Sequence, residues 1–397
     1  MPTVSVIIPS FNHEQYVREC IQSVLDQTYQ DFEIVITDDG SCDGTVDAIK
    51  SFTDPRIKLF VHNQNQGACV ASNNCIRHSE GKYIAMLSSD DAWFPEKLET
   101  QVRYLEQHPE IGAVFGKVEW IDASGNTITE PSFPFTHVFD VENRDRFQWL
   151  RHFFYNGNCL CHPCSLIRRE CYDEVGLLDP SMASIPDFDL WIRLCTKYEI
   201  FILDQKLIRF RRIGEDFNAS GDNLKSRIRN KFEYKQVLSH YLILKDAHEV
   251  LRVFPEAAKY GPVTSDLSPY FLARVAIETG IDLMAIWGLE LIYNLLKDKS
   301  FSKKLEQQCS FAHRDFIKLS GESNLFNLEA IFELSRQVAS LNSEVANRSD
   351  QLSALYASKS WRMAQKFQVI RLKLFPYGSM RASLAGRVYR FLSGNST

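Results

Sequence analysis

Phe32-Glu33-Ile34-Val35-Ile36-Thr37-Asp38-Asp39-Gly40-Ser41 is a β-rich apolar run that ends in two adjacent carboxylates and a glycine turn. The same device returns at Tyr83-Ile84-Ala85-Met86-Leu87-Ser88-Ser89-Asp90-Asp91. Around these stretches, short β-rich runs alternate with amphipathic ones. The pattern predicts strands near Val4–Pro9, Glu33–Asp38, Ile57–Val61 and Tyr83–Leu87, and helices near Glu14–Gln27, Thr45–Phe52 and Gly67–His78. Such alternation makes an α/β domain, a mostly parallel doubly wound sheet with flanking helices, whose ligands bind outside the carboxyl ends of the strands. Both acid pairs fall on that edge, where a nucleotide or a divalent metal would be held.

Further along, the pattern predicts a helix after Pro95, a strand near Ala113–Val118, an aromatic-rich loop region through Phe139 and a helix near Phe147–Tyr155. A strand at Ser165–Arg168, a helix at Asp189–Tyr198 and a strand near Ile200–Leu203 follow. From Asn223 strand signals disappear and apolar residues recur at helical spacing. Three parts are expected: an α/β domain at 1–220, a helical appendage at 221–328, and a heptad helix with a basic amphipathic tail at 329–397. Ile331, Leu334, Val338, Leu341, Val345, Leu352 and Leu355 follow alternating steps of three and four, broken only at Arg348. That spacing suits a short coiled coil joining a homodimer, and equally one amphipathic helix packed on its own protein.

The 397-residue chain is 45% hydrophobic, enough for a substantial core, and its net charge of −5 argues against nucleic-acid binding. The charge is uneven. Residues 351–397 contain no Asp or Glu, while Lys359, Arg362, Lys366, Arg371, Lys373, Arg381, Arg387 and Arg390 add eight positive charges; removing those from −5 leaves −13 elsewhere. No apolar run reaches the ~18 residues of a spanning helix, and the N-terminus enters a strand at once, so a cytoplasmic protein is expected. The ten cysteines read as reduced structural thiols. Cys159-Leu160-Cys161-His162-Pro163-Cys164 has zinc-ligand chemistry, but no second ligand pair accompanies it.

The turn after the first strand, Pro9-Ser10-Phe11-Asn12-His13, has no glycine, which excludes the common dinucleotide fingerprint, and a P-loop is absent too. Without a glycine cradle or lysine clamp, a bound diphosphate would need a metal to neutralise it. Asp90 and Asp91 offer hard oxygen ligands for magnesium or manganese. The alternative is that Ser89-Asp90-Asp91 caps the following helix.

Taken together, Val4-Ser5-Val6-Ile7-Ile8-Pro9-Ser10-Phe11-Asn12, Asp38-Asp39-Gly40-Ser41-Cys42-Asp43-Gly44-Thr45 and Ser89-Asp90-Asp91 resemble the donor-binding half of family 2 glycosyltransferases with the GT-A fold, over residues 3–215. The resemblance implies that Pro9 and Phe11 pack on the base of a nucleoside-diphosphate sugar, that Asp39 hydrogen-bonds the base with Asp38 as its neighbour, that Asp90 lies near the ribose, and that Asp91 ligates the metal. Ile185-Pro186-Asp187-Phe188-Asp189-Leu190-Trp191-Ile192-Arg193-Leu194 resembles the family's E-D-x-D-L-W-x-R-L segment. It implies that Asp187 is the base of an inverting transfer, with Asp189 nearby; a helix-capping role is the alternative. Pro186 replaces the usual glutamate, and Ser72 replaces an arginine of the G-x-x-x-A-R-N stretch. Arg211 or Arg212, in the segment Arg209 through Ser220 that lacks the family's histidine, is a candidate phosphate holder, against a simple surface cluster.

Ser358-Lys359-Ser360-Trp361-Arg362 resembles a segment near the ends of bacterial proteins that build surface polysaccharides. With Trp361, Phe367, Leu372, Leu374 and Phe375 on an apolar face, the tail suits the inner face of the cytoplasmic membrane and a glycan or lipid-linked acceptor, or else packs on the helical appendage. A nucleotidyltransferase would need a glycine- and basic-rich first loop. A non-catalytic scaffold would not need all three acid motifs.

Overall fold

The computed structural model describes residues 1–129, 136–213, 224–325 and 328–392. They form two compact units, Met1–Ser323 and Asn324–Thr397. The first is built on one eight-stranded sheet: β1 (Val4–Ser10), β2 (Phe32–Asp38), β3 (Ile57–Val61), β4 (Tyr83–Met86), β5 (Ala92–Trp93), β6 (Ile111–Ile121), β7 (Leu166–Arg168) and β8 (Glu199–Arg211), in the order β3-β2-β1-β4-β7-β6-β8-β5. The run β3-β2-β1-β4 is parallel. Beyond it β7 is antiparallel to both β4 and β6, β6 and β8 are parallel, and β5 closes the edge antiparallel to β8.

Alternation along the strands splits the core in two. Val4, Val6, Ile8, Ile34, Ile36, Tyr83 and Ala85 face α1 (Val17–Leu25), α2 (Thr45–Lys50) and α4 (Lys97–Gln107). Ile7, Val35, Ile84 and Met86 face α3 (Ala68–Arg77), α5 (Arg146–Asn156) and α7 (Pro186–Cys195). Helices therefore switch faces between β1 and β4, and this crevice is where β1, β2 and β4 deliver their last residues. The short α6 (Arg169–Val175) follows β7.

From α8 (Leu224–Leu238) the chain is helical, through α9 (Ala247–Val253), α10 (Ser268–Glu278), α11 (Asp282–Leu295), α12 (Lys299–Cys309) and α13 (His313–Glu322). Val237, Leu238, Tyr241, Phe254, Phe271 and Trp287 join the same buried cluster as Trp149, Phe153, Phe188 and Trp191. The helical region thus shares the core of the sheet's α5–α7 face.

The second unit holds α14 (Leu328–Ala357), α15 (Lys359–Leu374) and α16 (Met380–Leu392). Ser358 ends α14 and caps α15, its hydroxyl accepting the Trp361 N–H at 3.1 Å. Trp361 turns onto Tyr356, with ring centroids 5.2 Å apart. The apolar face of α15 is accordingly Met363, Phe367, Ile370 and Leu374, all more than half exposed. Trp361 and Leu372 lie off it, because helical spacing carries them to the other side. No helix among the described residues is long and apolar enough to cross a membrane.

Candidate functional site

Asp38 organises the turn after β2. Its oxygens accept the Ser41 N–H at 2.8 Å and the Ser41 hydroxyl at 2.6 Å. Gly40 has φ +77°, and a Cβ there would lie 2.7 Å from the Gln64 carbonyl carbon, so conformation and space both demand glycine. The β1 turn locks onto this one. Asn12, with φ 53°, accepts the Cys42 N–H at 2.9 Å and donates its own N–H to the Ser41 hydroxyl at 2.9 Å.

Asp39 faces the opposite way. Its carboxylate accepts the N–H groups of Gln66 at 3.0 Å and Gly67 at 2.8 Å, and lies 2.7 Å from His62 Nδ1. It anchors the start of α3 and is 2% exposed, so a base reaching it would share it with these donors. Phe11 is 39% exposed beside the partly exposed Pro9, which leaves a ring open on this edge.

Asp90 and Asp91 follow β4 as expected. His13 Nδ1 and the Ser89 hydroxyl are 2.8 Å apart, tying the first turn to this one. Burial pushes the Asp90 carboxyl above its usual range, and burial together with Asp90 pushes Asp91 well above it. Asp91 accepts the backbone N–H of Arg211 at 2.7 Å. Arg211, and for Asp90 also His13, act against these upward shifts without overcoming them; among the described residues no cationic side chain forms an ion pair with either carboxylate, and no cluster of three or more His, Cys, Asp or Glu is set to hold a metal.

Arg211 departs from its expected role. Its side chain is 1% exposed, and its guanidinium donates to the carbonyls of Asp90 at 2.7 Å, Asp122 at 3.1 Å and Ala123 at 3.3 Å and to Glu19 at 2.5 Å. Donors committed to backbone carbonyls in the interior do not reach a diphosphate; Arg211 fastens β8 to the acid turn. Arg212 is partly exposed, and its backbone N–H donates to the Ile121 carbonyl at 2.9 Å. The rest of the expected loop, 214–220, lies outside the described residues.

Asp187 is the second residue of α7. One carboxylate oxygen accepts the Asn158 side-chain N–H at 2.8 Å and the other the Phe188 N–H at 2.8 Å. Burial pushes its carboxyl up against these bonds. The buried Cys161 thiol is pushed well up by burial and Cys164, with Asp91 and Asp187 both adding, so one residue lies within electrostatic reach of both acids. Asp189 differs in kind. It is 2% exposed and clamped by Arg193 at 2.6 Å and His240 at 2.5 Å, which outweigh burial and hold its carboxyl below the usual range.

The cysteine cluster shows no metal-site geometry. Cys161 and Cys164 are buried, and burial lowers His162 to about 4, keeping it neutral. Asn158 and Glu233 escaped sequence reading. Glu233 lies on the stripe Glu233, Val237, Tyr241, an acid at i of an i, i+4, i+8 apolar face, and that misplaced acid was the available signal.

The sequence model of glycosyl transferase family 2 matches residues 5–176. An uncharacterized glycosyltransferase of Methanocaldococcus jannaschii is 29% identical over 249 residues, 62% of this chain and 79% of its own length. TuaG of Bacillus subtilis, a putative teichuronic acid biosynthesis glycosyltransferase, is 42% identical over 106 residues, 26% of this chain and 42% of its own length. Against matching glycosyltransferases of Rickettsia, the chain spans 34% to 64% of their lengths. The structure of S. aureus TarS 1-349 in complex with UDP-GlcNAc shares the fold, with a TM-score of 0.52 at 16% identity, covering 74% of this chain and 81% of that one.

Proposed function

From the match of residues 5–176 to glycosyl transferase family 2 and the GT-A fold of the chain, we propose that it moves a glycosyl group from a nucleoside-diphosphate sugar to a hydroxyl acceptor, with inversion at the anomeric carbon. The observation that carries this reading is the acid pair after β4: Asp90, half-buried, and Asp91, 2% exposed, form no ion pair among the described residues, and Asp91 and Asp187 both act electrostatically on the buried Cys161 thiol. Pro9 and Phe11 pack on the base, Asp39 bonds it, and Asp90 faces the ribose.

The acid pair fits a divalent ion, manganese or magnesium: two hard carboxylates that, among the described residues, form no ion pair and have no third His, Cys, Asp or Glu grouped with them suit a metal that takes its remaining oxygens from substrate phosphates and water. Asp91 would hold it with Asp90 alongside; when bound, such an ion offsets the negative charge of the diphosphate. The chain's own residues do the rest. Asp187, oriented by Asn158, takes the acceptor hydroxyl's proton; the freed oxygen bonds to the anomeric carbon as its bond to the diphosphate breaks, and the nucleoside diphosphate leaves.

The TuaG relative supports a surface polysaccharide or related glycan as the product. The acid-free basic tail supports work at the inner membrane face on a lipid-linked acceptor, and the heptads of α14 support a homodimer. A thermal-shift screen of the intact chain against UDP, GDP and their sugar conjugates, with and without Mn²⁺, tests the donor reading. One nucleotide series should stabilise strongly and in a metal-dependent way. A flat panel would overturn it.

A further inference from the structure

Three consecutive backbone N–H groups, of Ala183, Ser184 and Ile185, donate to one carboxylate, that of Glu233, at 2.8, 2.9 and 2.9 Å. Glu233 is 1% exposed and belongs to α8. The three donors are the last before α7: Pro186 has no N–H, and the helix start carries no side-chain cap. An anion at this point satisfies two loop N–H groups and that of the N-cap residue Ile185, and complements the helix dipole.

The next residue is Asp187. Tyr234 stacks on Phe188 with ring centroids 5.6 Å apart, and His240 grips Asp189 at 2.5 Å, so the segment from α8 onward holds the chain on both sides of Asp187. From the sheet side α3 holds the same loop. Asn73 exchanges hydrogen bonds with Leu178 at 2.7 and 3.1 Å, and the Cys69 thiol donates to the Met182 carbonyl at 3.2 Å. α3 in turn starts on Asp39. The loop is thus gripped between the donor-side acids and the helical region.

We propose that Glu233 is a positioning residue for sugar transfer, fixing the start of α7 and with it the Asp187 carboxylate, so that the helical region is part of the catalytic apparatus. The proposal rests on Asp187 being the base. Misplacing a reacting group by ~1 Å costs about a hundredfold, so Glu233→Ala should lower kcat about ten- to a hundredfold while KM for the donor stays within about threefold. Glu233→Gln, which keeps an acceptor oxygen, should recover part of the rate.

The experiment is a double-mutant cycle on the intact chain: wild type, Asp187→Asn, Glu233→Ala, Glu233→Gln and the combinations. It is read as nucleoside diphosphate release from whichever of UDP-glucose, UDP-N-acetylglucosamine or GDP-mannose the wild type turns over. Glu233→Ala should cost little more once Asp187→Asn is present. Full multiplicative loss in that background, or wild-type kcat in soluble, folded Glu233→Ala or Glu233→Gln, overturns the positioning role while Asp187 stands. Wild-type turnover by Asp187→Asn instead removes the base and the proposal together. If Glu233→Ala does not fold, Glu233→Gln carries the same cycle.

Discussion

Ionised Asp91 costs the fold stability, because burial and the neighbouring Asp90 both disfavour its charge. Its carboxyl is driven up by burial and by Asp90, so over the range from the ordinary carboxylate value to the raised one the folded chain binds a proton that the unfolded chain has released. Stability from this group is therefore present at low pH and lost as pH rises through the raised value. In EDTA the melting temperature should fall with rising pH across that window. Asp91→Asn should flatten the profile and stabilise the metal-free protein at neutral pH by about 1 kcal/mol, the order expected for relieving a buried like-charge pair. The same substitution should remove the Mn²⁺-dependent shift seen with a nucleoside diphosphate; a variant that melts lower in EDTA and keeps that shift would exclude Asp91 as a ligand. The acid pairs were legible from sequence because an apolar strand announces where it ends, and the turn after it is set by residues adjacent in the chain. Arg211 and Glu233 were not. Their charges are visible in sequence, but whether a guanidinium points at solvent or at three carbonyls depends on tertiary contacts across 88 to 121 residues.

Among the elements, α14 shows how much periodicity can fix. Ile331, Val338, Val345 and Leu352 fall at the a positions of its heptads and Leu334, Leu341 and Leu355 at d, all half or more exposed. β-branched a with leucine d favours two parallel strands. The flanking g positions, Gln337, Glu344 and Gln351, set no like charges against e positions Asn342, Ser349 and Tyr356. Arg348 occupies the remaining d layer and pairs with Glu344 at 2.6 Å, the kind of polar layer that fixes register at a cost in stability. Leu341→Lys should therefore yield monomers by light scattering, and Arg348→Leu should raise dimer stability while loosening register or strand number. A wild-type monomer at tens of micromolar would refute pairing. Long periodic elements were readable throughout: β3 is Ile57–Val61 as expected, and the helices after β1, β2 and β3 begin and end within three residues of expectation. The losses were the two-residue β5, the short α6, the start of α7 three residues earlier than expected, and the extents of β6 and of β8, whose thirteen residues exist because β6 offers them a partner. Pairing of that kind leaves no mark in local sequence.

For the whole molecule the governing quantity is the division of charge. A chain of net −5 carries eight basic and no acidic residues in 351–397. On α15 the exposed stripe Met363, Phe367, Ile370, Leu374 is bordered on one side by Lys359, Arg362, Lys366 and Lys373. At about 1 kcal/mol per basic residue near an anionic leaflet, the tail offers several kcal/mol of attraction that salt screens within a Debye length. The intact chain should co-sediment with phosphatidylglycerol-containing vesicles at low ionic strength, release as salt rises, and lose binding when residues after Ser358 are removed; equal pelleting of the truncated chain would exclude the tail as the anchor. Pairing and docking are then coupled. Parallel α14 helices bring two tails out at the same end, so the second tail binds at a raised effective concentration. Leu341→Lys, which leaves every residue of the tail in place and adds a positive charge, should nevertheless weaken vesicle binding; undiminished binding by a proven monomer would refute the coupling.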